Sequence, residues 1–430
     1  MKTVSFITLG CKVNQYDTAV ILNHLPKSRY KTVPFTEKAD VYVIDTCTVT
    51  HKADAEARNY IYRAKRANPE GVVVVTGCYA QVSPDELKEV KGVDYVIGNS
   101  DKFTSLLKVI REGERQSEPR VFISDIFKEK KKSFESPDIE HFPGRTRAFL
   151  KVQDGCNYAC TFCIIPRARG RSRSLSIAEI LSRMEKLSLA GYKEIVLTGI
   201  HIASYGQDIG TSFFELVKEI EREKIVGRVR LTSLDPADIE TDFIHYVSEA
   251  ETICPQFHIA LQSGDRDVLK RMRRRYEPEK FLDLTNLIRE TMPGAAIGSD
   301  IMVGFPGETE EQFQSTYRVA EESALTYFHV FPYSKRKMTS AAAMDGQVHP
   351  GLIKERSKHL RELGSRKKSE FIRKFIGATF PVLVETGSKG TTPNYISVRL
   401  EGKDFNVGDE VDLKIVDVIG EEAVGATDAN

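Results

Sequence analysis

The chain has 430 residues, more than one hydrophobic core usually holds, so two or three domains are expected. Hydrophobic residues at 41% and charged residues at 29% exclude a disordered or fibrous chain. A formal net charge of +1 excludes a general polyanion-binding surface, so any grip on nucleic acid must come from local patches.

The first third alternates apolar runs with helical patterns. Thr3–Leu9, Val41–Thr46, Val72–Thr76 and Tyr95–Ile97 read as buried parallel strands. Helices are predicted at Asn14–Leu25, His51–Ala67, Pro84–Val90 and Lys102–Arg111. Residues 1–112 therefore read as an open parallel α/β sheet. Residues 113–147 read as a linker with little periodicity, a Lys128-Glu129-Lys130-Lys131-Lys132 charge run, Pro137 and Pro143.

A second βα series fills 148–376. Its strands are predicted at Phe149–Val152, Ile195–Thr198, Val229–Thr232, Phe257–Leu261, Ile297–Val303 and Tyr327–Phe331, with helices such as Ile177–Leu189 and Glu308–Glu322 between them. Six repeats suggest a partial (β/α)6 barrel, since a full eight needs about 250 residues. A basic helix, Leu352–Phe375, ends this domain. Residues 377–430 switch to short β runs (Phe380–Glu385, Tyr395–Leu400, Glu410–Val418) with glycine turns and read as a small OB-like β-barrel. No apolar run spans a bilayer, and Met1–Gly10 is too short for an export signal. A cytoplasmic protein with no membrane partner is expected.

Seven cysteines in such a chain point to metal or redox use rather than disulfides. Cys156-x3-Cys160-x2-Cys163 follows the first barrel strand. Three thiolates on one loop can ligate three irons of a 4Fe–4S cluster and leave the fourth open. Zinc would need a fourth ligand, and Gln153–Gly170 offers no histidine or further cysteine. Cys11, Cys47 and Cys78 form no compact motif, but each follows a predicted strand. All three are expected at the carboxyl edge of one parallel sheet, where open α/β folds bind ligands. Gly10 and Gly77 precede two of them and allow close backbone approach. Cys254 stands alone and reads as a buried thiol.

The run Cys156-Asn157-Tyr158-Ala159-Cys160-Thr161-Phe162-Cys163 resembles the cluster loop of the radical S-adenosylmethionine (SAM) superfamily. That resemblance implies that the open iron holds the amino and carboxylate groups of SAM. It also implies that an electron cleaves SAM to a 5′-deoxyadenosyl radical, and that Phe162 packs near the adenine. Thr8-Leu9-Gly10-Cys11-Lys12-Val13-Asn14-Gln15, Asp45-Thr46-Cys47-Thr48-Val49 and Thr76-Gly77-Cys78-Tyr79-Ala80-Gln81 resemble the N-terminal domain of methylthiotransferases. Cys163-Ile164-Ile165-Pro166, Arg169-Gly170-Arg171-Ser172-Arg173-Ser174, Leu261-Gln262-Ser263-Gly264 and Val303-Gly304-Phe305-Pro306-Gly307-Glu308-Thr309 extend the resemblance. The C-terminal barrel resembles a TRAM domain. Gly10–Gln15 and His329-Val330-Phe331-Pro332-Tyr333-Ser334 look most like the threonylcarbamoyladenosine tRNA methylthiotransferases. The resemblance implies an auxiliary 4Fe–4S cluster on Cys11, Cys47 and Cys78 that supplies sulfur, methylated by one SAM, while a second SAM yields the radical. It also implies tRNA, at its anticodon stem-loop, as partner rather than DNA, with an external electron donor and a sulfur donor for the cluster.

The adenine C2–H is neither acidic nor beside a leaving group, so acid–base side chains are not expected to open it; such chemistry belongs to a cofactor. Further SAM contacts are expected at strand ends: Gly199 near the methionyl amine, Gln262, Ser233 and Asp300. Arg167, Arg169, Arg171 and Arg173, then Arg273, Arg274 and Arg275, then Lys335 and Arg336, form three basic clusters expected to meet RNA phosphates. Two departures from the family pattern lie beside the expected mouth: Arg167 where an aromatic is more usual, and Lys337-Met338 where Pro-Gly is more usual. Residues 377–430 carry four Lys/Arg against ten Asp/Glu, and Lys354–Lys374 carries nine against three. Electrostatics therefore favours the helix, including Arg366, Lys367 and Lys368, over the barrel as the phosphate-holding element. Isopentenyl adenosine in tRNA and a ribosomal-protein aspartate remain rival substrates for the same chemistry.

Overall fold

Val41–Thr46 and Val72–Gly77 are buried at every residue, as strands covered on both faces of a parallel sheet must be. The computed structural model describes residues 1–127, 137–142, 144–402 and 405–427; the lysine-rich run at 128–132 lies outside them. Six strands form the N-terminal sheet: β1 (Lys2–Thr8), β2 (Tyr30–Thr32), β3 (Val41–Thr46), β4 (Val72–Gly77), β5 (Tyr95–Ile97) and β6 (Arg120–Phe122). Their order is β2-β1-β3-β4-β5-β6, and every pairing is parallel. Alternate side chains serve two cores. Val73 and Val75 join Tyr42, Ile44 and Ile61 on one face, while Val72 and Val74 join Val41, Val43 and Ile97 on the other. The helix His51–Ala67 starts where the Thr50 hydroxyl accepts the Ala53 N–H at 3.2 Å.

Two compact units divide the chain, and each is discontinuous. The first comprises residues 1–141, 151–175 and 334–342. β7 (Arg147–Lys151) enters it at Lys151, and the two-residue strands β8 (Gln153–Asp154) and β9 (Arg173–Ser174) pair antiparallel. The second comprises 142–150, 176–333 and 343–430. It carries β10 (Glu194–Thr198), β11 (Arg228–Arg230), β12 (Gln256–His258), β13 (Ala296–Val303) and β14 (Tyr327–Pro332). Two three-stranded sheets, β11-β10-β7 and β12-β13-β14, are stitched by bridges at Val229↔Ile253 and Leu234↔Ile259. The result is an open arc of six strands. Capping boxes start two of its helices, Ser176 with Glu179 and Thr309 with Gln312.

The C-terminal strands β15 (Thr379–Thr386), β16 (Lys389–Thr391), β17 (Ser397–Glu401), β18 (Glu410–Ile419) and β19 (Glu422–Ala426) close into a barrel ordered β15-β16-β17-β19-β18. Val382, Val384, Val398, Leu413 and Ile415 fill it, and Phe371 and Ile372 of the long helix Pro350–Arg373 pack onto it. A buried carboxylate seats the barrel on the arc. Glu194 takes Arg230 Nε at 2.7 Å and Nη2 at 3.0 Å, and Arg230 also donates to the barrel carbonyls of Pro393 and Thr392 at 3.0 and 3.3 Å. Arg228 reaches Glu410 at 2.7 Å, and Arg147 reaches Glu385 at 2.6 Å.

The structure departs from the sequence reading in three places. Edge strands β2 and β6 were not anticipated, and β6 falls in the stretch read as a linker; three residues are too few to show a period. Lys102–Leu106 is a π-helical turn before an α-helix at Leu107–Glu112, and its first side chain, Lys102, is buried. The basic helix also spends charge internally. Arg356 is buried against Glu308 at 2.7 Å, Arg366 pairs with Glu321 at 2.9 Å, Lys367 donates to the Ser323 carbonyl at 3.0 Å, and Lys368 pairs with Glu421 at 3.1 Å.

Candidate iron–sulfur and SAM site

The strand order of the first sheet reverses between β1 and β3. In open α/β folds the crevice beyond the carboxyl ends at such a point takes ligands. Cys11 follows β1, Cys47 follows β3, and Cys78 follows β4. The register pairs Thr46 with Gly77, so Cys47 and Cys78 leave the sheet side by side. Gly10 and Gly77 have φ of +93° and +96°. A Cβ on Gly10 would lie 2.6 Å from Cys47 Cβ, and one on Gly77 would lie 2.4 Å from the Thr46 carbonyl. Only glycine fits at both positions.

Cys11 is exposed, Cys47 half-buried and Cys78 buried. Burial, with Cys78 and Cys11 beside it, pushes the Cys47 thiol up to about 12. Burial likewise raises the Cys78 thiol, against the pull of Arg169. Such thiols ionise when a metal takes the place of their protons. Among the described residues no three His, Cys, Asp or Glu side chains converge as the ligands of a single ion would. Thiolates on separate strand ends suit a polynuclear cluster, whose irons occupy separate corners.

The second cysteine loop belongs to the same unit. Gly155 has φ of +74°, and a Cβ there would meet the Arg171 carbonyl at 2.1 Å. The Cys156 N–H donates to the Gly170 carbonyl at 3.0 Å, and the Cys163 N–H to the Cys160 carbonyl at 3.1 Å. Tyr158 N–H points at Cys156 Sγ, 3.4 Å away. The Thr161 carbonyl accepts the Ala341 N–H at 2.8 Å. Phe162 is half-buried. The three thiols are thus held on a pinned loop, and their donor set fits a 4Fe–4S cluster with one open iron.

Between the two sets lies a buried ionic network that the sequence reading missed. Lys102 Nζ meets Asp45 at 3.0 Å and Asp17 at 3.5 Å; Lys151 Nζ meets Asp17 at 2.5 Å and Asp154 at 3.3 Å. Arg169 meets Asp154 at 3.0 Å, Asp17 at 3.4 Å and the Asn14 side-chain oxygen at 2.5 Å. Three carboxylates balance three cations. Burial pushes Asp154 and Asp17 up, but the cations, Arg169 and Lys151 for Asp154 and Lys151 and Lys102 for Asp17, outweigh it and hold both below the ordinary carboxylate range. Asp45, where burial wins over Lys102, is raised. Asn14 and Asp17 are spaced i, i+3 on one helix face, which was the one local signal available.

In the second unit, Ser233 and Gln262 are two of five non-glycine residues with positive φ among the described residues, at 55° and 59°. Such backbone costs about 1–3 kcal/mol and collects at ligand sites. Gln262 is held by backbone bonds to Asp300 and Met302, both 2.8 Å. Asp300 Oδ1 faces His258 Nε2 at 3.1 Å, and Gly199 is buried directly after β10.

The basic clusters divide. Arg167, Arg171, Arg273, Arg275 and Lys335 are exposed, and Arg173 is half-buried. Arg169, Arg274 and Arg336, expected on the RNA-facing surface, turn inward instead. Arg169 belongs to the buried network, Arg274 pairs with Asp235, and Arg336 pairs with Asp54 at 2.6 Å and takes Thr48 Oγ1 at 2.5 Å. Each meets a carboxylate that sequence spacing did not reveal.

Residues 3–98 match UPF0004, described as an uncharacterized protein family, and residues 150–320 match the radical SAM superfamily. A radical SAM methyltransferase, TsrM, from Kitasatospora setae, solved with cobalamin and a [4Fe-4S] cluster, has a similar fold. It is 16% identical, with a TM-score of 0.58 over 79% of this chain and 77% of that one. The chain is a radical SAM enzyme. It is 41% identical to the threonylcarbamoyladenosine tRNA methylthiotransferase MtaB of Aquifex aeolicus, over 93% of this chain and 97% of that one, and 42% identical to that of Bacillus subtilis, over 97% and 94%. It is 33% identical to the tRNA-2-methylthio-N(6)-dimethylallyladenosine synthase of Acetivibrio thermocellus, over 95% and 85%. The chain therefore belongs to the radical SAM tRNA methylthiotransferase family.

Proposed function

We propose that the chain converts N6-threonylcarbamoyladenosine at position 37 of tRNA to its 2-methylthio derivative. The observation that carries this reading is the pair of three-cysteine sets in one compact unit, each set one ligand short of closing a 4Fe–4S cluster. When bound, the two clusters and SAM supply the radical that opens the adenine C2–H bond, and the sulfur and methyl that replace its hydrogen. Cys156, Cys160 and Cys163 hold the SAM-binding cluster, and Cys11, Cys47 and Cys78 hold the auxiliary one. Phe162, Gly199, Ser233, Gln262 and Asp300 orient SAM. The exposed Arg167, Arg171, Arg273, Arg275 and Lys335 neutralise phosphates of the anticodon stem-loop. An external reductant and an external sulfur donor complete the cycle, in the cytoplasm.

The relatives named for dimethylallyladenosine support a second reading, methylthiolation of an isopentenylated base. Nucleoside mass spectrometry of tRNA from cells lacking the gene, complemented with the wild type or with Cys78→Ala, separates the two. Loss of 2-methylthio-threonylcarbamoyladenosine, restored only by the wild type, is expected. Loss of the isopentenyl product instead, or no nucleoside change, overturns the proposal.

A further inference from the structure

The tripeptide Ala168-Arg169-Gly170 touches the surroundings of both cysteine sets. Toward the SAM-cluster loop, the Gly170 carbonyl accepts the Cys156 N–H at 3.0 Å. Arg169 Nη1 also spans both oxygens of Asp154, at 3.1 and 3.0 Å, two residues before Cys156. Toward the auxiliary set, Arg169 Nη2 donates to the Asn14 side-chain oxygen at 2.5 Å. The Asn14 amide in turn donates to the carbonyls of Leu9 and Thr46, at 2.9 and 3.0 Å. Those carbonyls close the strand ends that lead into Cys11 and Cys47. The third cysteine is reached through Asn99, whose amide donates to the Ala168 carbonyl at 2.8 Å and lies 3.6 Å from Cys78 Sγ. One tripeptide is therefore linked through Asn14 to the backbone just before Cys11 and Cys47, through Asn99 to Cys78, and directly to the other loop.

The chemistry of the guanidinium decides what this arrangement does. The guanidinium reaches Asp154 with Nη1 and Asn14 with Nη2 and still has Nε–H to spare, whereas a lysine ammonium is one compact charge with no donor held apart on a rigid plane. Arg169 is 1% exposed, and its Nε–H has no hydrogen-bond acceptor among the described residues. A buried donor left unsatisfied is destabilising, so it calls for an acceptor. Hydrogen bonds and fixed charge at the sulfurs are among the factors that set the potential of an iron–sulfur cluster.

We propose that Arg169 is a positioning residue that locks the two sets of cluster ligands into one frame, and that its Nε–H donates to a sulfur of the auxiliary cluster, stabilising its reduced state. The inference rests on the two-cluster reading above. The full chain with Cys156, Cys160 and Cys163 replaced by alanine isolates the auxiliary cluster. After anaerobic reconstitution with iron and sulfide, its midpoint potential is measured by EPR-monitored redox titration, alone and with Arg169→Gln or Arg169→Lys. The expected result is a more negative potential in Arg169→Gln, which loses both charge and donor. Arg169→Lys, which keeps the charge without Nε–H, should fall between. Coincident potentials at equal iron content overturn the inference. Should Arg169→Gln bind less iron, Arg169→Lys carries the comparison, and a potential equal to the parent's overturns it. A parent that binds no iron at Cys11, Cys47 and Cys78 refutes the two-cluster reading itself, a separate failure.

Discussion

Glu194→Gln is the sharpest perturbation of the seat beneath the small barrel. Glu194 is fully buried and accepts two bonds from Arg230, with Arg147 and Arg228 at 3.7 and 3.9 Å. Glutamine keeps the shape but removes the carboxylate charge in direct contact with Arg230, which is itself 2% exposed. Breaking a buried pair this way costs about 3–5 kcal/mol, since the remaining cation has nowhere to go. For a unit of this size that lowers the melting temperature by roughly 6–20 °C. Circular-dichroism melting gives the loss, and limited trypsin digestion reports release of the barrel. Glu385→Gln is the control. Its carboxylate is 29% exposed on Arg147, so its loss should cost under about 1 kcal/mol. Burial raises Glu194, but Arg230 outweighs it and leaves the carboxyl below its ordinary value of 4.5. Its contribution is therefore complete above about pH 4.5 and fades as pH falls toward the lowered value. The gap between wild type and variant should shrink in acid. Equal losses in both variants, or a gap that widens in acid, would refute the reasoning.

Gly77→Ala would drive a Cβ into the Thr46 carbonyl, so the reconstituted chain should hold about four irons rather than about eight; a full iron and sulfide count would contradict the geometry. Gln262→Gly relieves left-handed backbone and should gain about 1 kcal/mol of stability, while tRNA methylthiolation falls in a nucleoside assay. A variant neither more stable nor less active would remove Gln262 from the site. Replacing the exposed Arg167 and Lys335 by alanine should flatten the logarithmic salt dependence of tRNA affinity by about 0.7 per residue. Arg336→Gln should leave that slope unchanged while lowering stability, and filter binding across a salt series distinguishes the two.

The strands of the arc were legible because each is a short, mostly apolar run between amphipathic helices; all six fall within three residues of their expected bounds. The common edge of Cys11, Cys47 and Cys78 was legible because strand ends in a parallel sheet share one edge, however far apart they lie in the chain. The inward arginines were not. Arg169 and Arg336 sit in runs that read as phosphate-facing charge, and only the fold brings Asp154, Asp17 and Asp54 to them. Lys102 gave no local signal either, since its two carboxylates stand on a helix and a strand from elsewhere in the first hundred residues.

The first unit is assembled from three separate stretches, and this sets the order in which it can mature. Arg336 bonds Thr48 across 288 positions, so a ribosome must make nearly four-fifths of the polypeptide before that closing piece exists. Contacts so distant in the chain form slowly. Cys11, Cys47 and Cys78 emerge early and wait for that closing piece, so a cluster held there would be enclosed only after most of the chain is made, with the thiols open to oxidation until then.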